Sequence, residues 1–255
     1  MKKPLRVLSI DWDYFQVVTS DIIVNDYPDG HDFGTELSIM SWSNHYANRQ
    51  TEQRLNTVRI NKKAYKEIIR AIKRSSDLTG RSCKTMVVNS HKHLYDFIKD
   101  TYDQALYDGV DVYNFDMHHD MFTTDLIEKD GQVEYQIKDL DCGNWASHVK
   151  KDFNGVIHWV CNEVSDELYP SDLPDEITKD YTCIRDIQFD LVFLCRSDVY
   201  SPPHLDEYFD EMRKVIQSYY TTTWLEQGIQ EPRDITEHVQ EMRKVFDEMT
   251  KARVG

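Results

Sequence analysis

Basic charge is what this chain has least of: 30 Lys and Arg stand against 45 Asp and Glu, a formal net charge of −15. That balance excludes a phosphate-backbone binder, which needs a basic face, and suits a cationic ligand drawn in by long-range attraction. Cysteine is sparse and unpaired in pattern. Cys83, Cys142, Cys161, Cys183 and Cys195 are odd in number and lack paired spacing, which argues against a zinc ribbon and for a reducing cytoplasm. Long apolar runs are missing as well; no window approaches the roughly 20 residues needed to span a bilayer. The opening "MKKPLRVLSIDWDYF" meets Asp11 after a short apolar run, so it reads as a first strand and not as a signal peptide. With nine glycines and seven prolines there is no Pro/Gly/Ser linker, and no repeat is visible. One domain over 1–255 is the simplest organisation.

What is present is an alternation of apolar runs and helical patterns. "LRVLSI" (5–10), "TMVVN" (85–89), "VDVYNF" (110–115), "GVIHWV" (155–160) and "DLVFLC" (190–195) read as strands. "NKKAYKEIIRAIKRSS" places Ala64, Tyr65, Ile68, Ile69 and Ile72 on one helical face, with Asn61 as N-cap. "HLYDFIKDTYDQALYDG" reads as a second helix turning Leu94, Phe97, Ile98, Ala105 and Leu106 inward. Two late helices follow within about 203–252, and the polar segment from about 20 to 57 reads as a long loop region. Strands alternating with helices imply an α/β fold: three layers, α/β/α, around a mostly parallel central sheet. Ligands of such sheets bind beyond the carboxyl ends of the strands. Each chemically dense cluster here falls at such an end: "SIDWDYF", "NSHKH", "FDMHHD" and "CRSDVYSPP".

Asp116, His118 and Asp120 stand at i, i+2 and i+4, so along an extended backbone they point to one spot. Two acids and an imidazole offer oxygen and nitrogen ligands suited to Mn, Fe or Zn, and a cation would hold the acids ionised and the imidazole neutral. His91 and Asp198 follow other strands. Asp11 and Asp13 flank Trp12 and share a side; a carboxylate pair there can grip a planar guanidinium or complete a metal shell.

In this order, "NSHK", "DMHHD" and "CRSDVYSPP" resemble the ureohydrolase (arginase/agmatinase) superfamily, whose fold is shared with histone deacetylases. "CGNW" (142–145) is similar to the G-N segment that follows D-x-H-x-D in arginases. The joint pattern with "SIDWDYF" is closer to a divergent branch containing peptide arginases, which convert arginine to ornithine inside ribosomally made peptides. The resemblance covers about residues 5 to 210. It implies an arginase/deacetylase-like metallohydrolase with two manganese ions, and His91, Asp116, His118, Asp120 and Asp198 as ligands. It also implies Asp120 as proton acceptor, His148 as proton shuttle and Asn144 at the substrate; His119, tied to the metal loop, is a second shuttle candidate, and Asp11 or Asp13, from a strand that supplies no arginase ligand, is expected at the substrate guanidinium or in the metal shell. The late segment departs from the pattern: Arg196 or Tyr200, depending on alignment, stands where a carboxylate belongs. Asp11, Asp13 or His119 are the residues at hand to replace it.

The implied reaction is metal-dependent hydrolysis of the arginine guanidinium to ornithine and urea. The longer acidic interval 121–141, with Asp125, Glu128, Asp130, Glu134 and Asp139, favours a basic arginine-containing peptide over the free amino acid. The rival readings are a deacetylase of acylated lysine or polyamine, using one metal, and a non-catalytic metal-stabilised binding module. A phosphotransferase reading of D-x-D leaves D-x-H-x-D unexplained.

Overall fold

The computed structural model describes residues 2–29, 34–79, 83–122, 125–129, 132–136, 139–169 and 173–254, with backbone alone at 76–79, 125–129, 132–136, 250 and 252–254. Its strands are β1 (Lys3–Asp11), β2 (Gln16–Val17), β3 (Arg59–Ile60), β4 (Lys84–Val88), β5 (Tyr107–Phe115), β6 (Asp125–Lys129), β7 (Gln132–Gln136), β8 (Gly155–Val160), β9 (Glu176–Thr178), β10 (Leu191–Cys195) and β11 (Thr221–Leu225). Its helices are α1 (Ser20–Asp26), α2 (Thr35–Ala47), α3 (Arg49–Leu55), α4 (Lys62–Thr79), α5 (His93–Thr101), α6 (Trp145–Phe153), α7 (Ser165–Leu168), α8 (Asp206–Tyr219) and α9 (Thr236–Val254).

Seven strands form one sheet in the order β11-β4-β10-β1-β5-β8-β9, and every neighbouring pair runs parallel. The period-two side-chain rule sorts each central strand between two cores. Leu8 and Ile10 of β1 with Val192 and Leu194 of β10 face α4 and α8, meeting Ala64, Ile68, Phe209 and Met212. Leu5 and Val7 with Leu191 and Phe193 face α5 and α6, meeting Leu94, Phe97, Trp145 and Val149. The molecule is therefore the three-layer α/β/α arrangement the sequence implies. Since Leu5 and Val7 point toward α5 and α6, the same alternation carries Ser9 and Asp11 to that face. Among the described residues no helix is long and apolar enough to cross a membrane.

The Asn61 cap forms as expected: its Oδ1 accepts from the Ala64 amide at 3.2 Å. Three local expectations are corrected. Residues 20–57 are not a loop but carry α1, α2 and α3. Helix α2 escapes an apolar-period search because part of its buried face is polar: Ser38 and Ser43 are buried beside Trp42 and Tyr46. The helix opening at His93 stops at Thr101, so Ala105 and Leu106 lie on the surface and do not face inward. There the Asp103 side chain accepts the Ala105 amide at 2.8 Å, a turn that competes with helix continuation. Finally, an edge strand, β11, separates the two late helices and pairs with β4.

Candidate metal centre

Four adjacent strands, β4, β10, β1 and β5, bring their carboxyl ends to one rim. Asp11 closes β1, and a short 3-10 turn (Trp12–Phe15) follows, placing Asp13 fully buried behind it. Asp116 directly follows β5, His91 lies three residues beyond β4, and Ser197 two beyond β10. The D-x-H-x-D segment is not extended to its end: Asp120 takes a left-handed backbone, φ 52°, which swings its carboxylate back toward His91.

The side chains meet in two groups that share Asp116. Asp11, His91 and Asp116 can offer ligand atoms to one point; Asp13, Asp116 and His118 can do so to a second. Nδ1 of His91 faces Asp11 Oδ2 at 3.2 Å, Asp116 Oδ2 at 3.2 Å and Asp120 Oδ2 at 3.0 Å. Nδ1 of His118 faces Asp13 Oδ2 at 3.0 Å and Asp116 Oδ1 at 3.5 Å. Asp11, Asp13, Asp116, Asp120 and His91 are all buried, and His118 nearly so.

Two features separate this cluster from a set of solvated acids. First, buried polar atoms are normally hydrogen-bonded. Yet His91 Nδ1 and Asp13 Oδ2 have no hydrogen-bond partner, although oxygens crowd the nitrogen. Within each group the candidate ligand atoms lie within 4.8 Å of one another. Second, four buried carboxylates have no Lys or Arg within ion-pair distance among the described residues; their only cationic partners are His91 and His118. With neutral imidazoles, four negative charges match two divalent cations, and buried charge this dense must be paired or neutralised. The residues fit a metal pair.

Without a cation the protons must settle within the cluster. Burial alone would lower His91, but the carboxylates of Asp11, Asp116 and Asp120 outweigh it and raise its pKa well above the usual imidazole range. His118 likewise is lowered by burial and raised further by Asp13 and Asp116, with a net rise. Burial and the neighbouring charges of Asp11 and Asp116 push Asp13 up. For Asp116 burial raises the pKa, and the two imidazoles reverse this, leaving it below the ordinary carboxylate range. Burial and the Asp116 charge bring Asp120 to about 7.

Outer groups fix the ligands. Ser9 Oγ lies 2.7 Å from His91 Nε2, so the nitrogen facing the acids is Nδ1. The Ser197 hydroxyl donates to Asp11 Oδ2, and Trp145 Nε1 donates to Asp120 Oδ2 at 2.6 Å. Asp13 Oδ1 accepts the Met117 amide at 3.1 Å. The His91 ring stacks on Phe193 with centroids 5.4 Å apart.

Asp198, expected as a ligand, belongs to neither group. Its carboxylate is paired with the buried Arg196 guanidinium, with Arg233 beyond, so its charge is already matched within the chain. Asp11 and Asp13 occupy the positions left open. Asn144 is also committed elsewhere: its Oδ1 accepts the Asp141 amide and its Nδ2 donates to the Asp139 carbonyl, each at 2.9 Å, so it shapes the loop and does not face a substrate. Neither shuttle histidine lines the cavity above the cluster. His148 sits on α6 against the Tyr95 ring, and His119 is buried, its Nδ1 accepting the Met121 amide at 3.0 Å. Burial lowers the His119 pKa and keeps it neutral.

That cavity, about 70 Å³, is lined by Asp11, His91, His118, Asp120, Phe122, Asp198 and Tyr200 with neighbouring loop residues, and among the described residues no Lys or Arg lines it. A single water needs roughly 10–15 Å³, so about five water-sized groups, enough for a small planar head group, fit. A larger groove of about 760 Å³ between α2, α3 and α9 holds none of the clustered residues. The acids expected to form a rim at 125–134 have no described side chains, and Asp130 lies outside the described residues. Comparison of the chain with family models, curated proteins and solved structures returned no match.

Proposed function

We infer that this protein is a metal-dependent hydrolase that cleaves the guanidinium group of arginine, within a peptide, to give ornithine and urea. The observation that carries the reading is the pair of cation positions joined through Asp116 at the floor of a small acidic cavity. Divalent cations held there, manganese being the one favoured, would lower the pKa of a bound water so that hydroxide is available near neutral pH. Asp11, His91, Asp116 and Asp120 would hold one cation, and Asp13, Asp116 and His118 the other.

The chain's own residues supply the rest. The rings of Tyr200 and Phe122 border the cavity, offer faces to a planar cation and restrict what enters. Asp120, its carboxylate aimed by the Trp145 indole, is placed to take a proton from water and return it to the departing nitrogen. Water adds at the guanidinium carbon, the bond from that carbon to the side-chain nitrogen breaks, and a protonated amine and neutral urea result. Charge and atoms balance without another reactant.

Two joined positions favour guanidinium hydrolysis over a one-metal deacetylase. The test is Mn²⁺ loading followed by assays for urea and for acetate, using an arginine peptide and an acetyl-lysine peptide. Urea release that disappears in Asp116→Asn is expected. Acetate release without urea, or metal uptake with no turnover of either peptide, would overturn the reading.

A further inference from the structure

The two cation positions are built from different amounts of supporting structure. At the His91 position three ligands are fixed from behind: His91 by the Ser9 hydroxyl, Asp11 by Ser197 and Asp120 by the Trp145 indole. The His91 side chain is 2% exposed. At the other position Asp13 is held by the Met117 amide, but His118 is 14% exposed, with its ring against Tyr169 and Tyr200. Outer partners that orient a ligand typically account for roughly 10–100-fold in metal affinity.

Ser197 is the least expected of these supports. Its φ is 48°, the left-handed region that glycine occupies freely and serine only at a cost. The backbone is held there from both sides. Arg196 turns its guanidinium onto the Asp198 carboxylate and the Glu231 carbonyl. The Asp198 carbonyl receives the Trp42 indole at 2.8 Å, Ser38 Oγ at 3.1 Å and the Arg233 guanidinium. Glycine would relieve this backbone but would bring no hydroxyl to Asp11.

We propose that the two positions are inequivalent: the one bounded by His91, Asp11, Asp116 and Asp120 binds its cation first and more tightly, with Ser197 as a positioning residue for Asp11. The position at His118 and Asp13 is then the weaker, exchangeable one, open on the cavity side. This rests on the metal reading above and adds an order and a cause to it.

The experiment is Mn²⁺ titration of the full chain, followed by equilibrium dialysis and by the electron paramagnetic resonance spectrum, which separates an isolated Mn²⁺ from a coupled pair. The wild type should bind in two steps, an isolated signal first and a coupled one after it. His118→Ala should lose the weak step and His91→Ala the tight one. Ser197→Ala and Ser197→Gly should both weaken the tight step by about 10-fold, leaving the weak step within about threefold. Ser197→Gly should meanwhile melt no lower than wild type, because the strain is gone. A merely structural role would make affinity follow melting temperature, so retention of tight binding in a stable Ser197→Gly protein overturns the proposal. Two equal steps in the wild type, or a tight step lost in His118→Ala, also overturn it while leaving the metal reading intact. A wild type that binds no Mn²⁺ overturns both.

Discussion

Asp13 Oδ2 stands 3.0 Å from Nδ1 of His118, although the two residues are 105 positions apart along the chain. The acid just past the first strand and the histidine of the D-x-H-x-D segment thus bound one position, while Asp116 divides its two oxygens between this position and that of His91. Asp13→Asn should therefore reduce bound Mn²⁺ from two ions per chain to one. Asp116→Asn should abolish both, as read by elemental analysis after dialysis. Equal loss in the two variants would contradict the sharing of Asp116.

Cation uptake should release protons. His91 and His118 have pKa values raised above the imidazole range by facing carboxylates, so near neutral pH both are protonated in the metal-free chain. Each must lose its proton to become a ligand. Apparent Mn²⁺ affinity should accordingly rise with pH and fall as acid is added. Calorimetry in buffers of different ionisation enthalpy would measure the protons released; a pH-independent affinity would count against ligation by these imidazoles.

Bound metal should stabilise the fold. Four buried like charges favour unfolding unless they are neutralised, and a ligand at about 100 times its dissociation constant contributes about 2.7 kcal/mol. Melting temperature should rise with added Mn²⁺, return to its starting value with chelator, and stay unmoved in Asp116→Asn.

Arg233 is predicted to be a structural anchor. It is fully buried, makes a two-pronged contact to Asp206, and donates to the Ser201 carbonyl at 2.7 Å. Replacing it with Met leaves the buried Asp206 carboxylate with only the Arg196 guanidinium, at 3.9 Å, as a charged partner, a loss of up to about 3–5 kcal/mol, measurable by urea denaturation. Burial raises the Asp198 carboxyl, but Arg233 and Arg196 lower it further, so its folded pKa lies below the unfolded value. The stability from this pairing is present above the ordinary carboxylate range and is lost as pH falls through the folded value. In Arg233→Met that acid-side loss should be smaller.

The layered sheet was legible because its strands are apolar on both faces and end in polar tips, a pattern that only a parallel, covered sheet explains. Helix α4 was legible from its apolar period and its Asn61 cap. Helix α2 was not, because Ser38 earns its place inside by a hydrogen bond to the distant Asp198 carbonyl, which no local pattern reports. For the site, His91, Asp116, His118 and Asp120 could be picked from residue type and position at strand ends. Asp198 was equally plausible by type, and only its distance from Arg196 and Arg233 removed it. Ser9 and Ser197 carried no signal beyond their nearness to acids.

The order of apolar and polar residues by itself determined a parallel sheet with its chemistry on one rim, since burial of both faces leaves the strand ends as the place for charge. Which acids lie close enough to share a cation was decided only in three dimensions. Strand β1 lies between β10 and β5, so Asp11 and Asp13 reach the histidines, while an arginine of the chain's own withdraws Asp198. Pairings of charge depend on distances of a few ångströms between residues far apart along the chain, and those distances exist only once the sheet has formed.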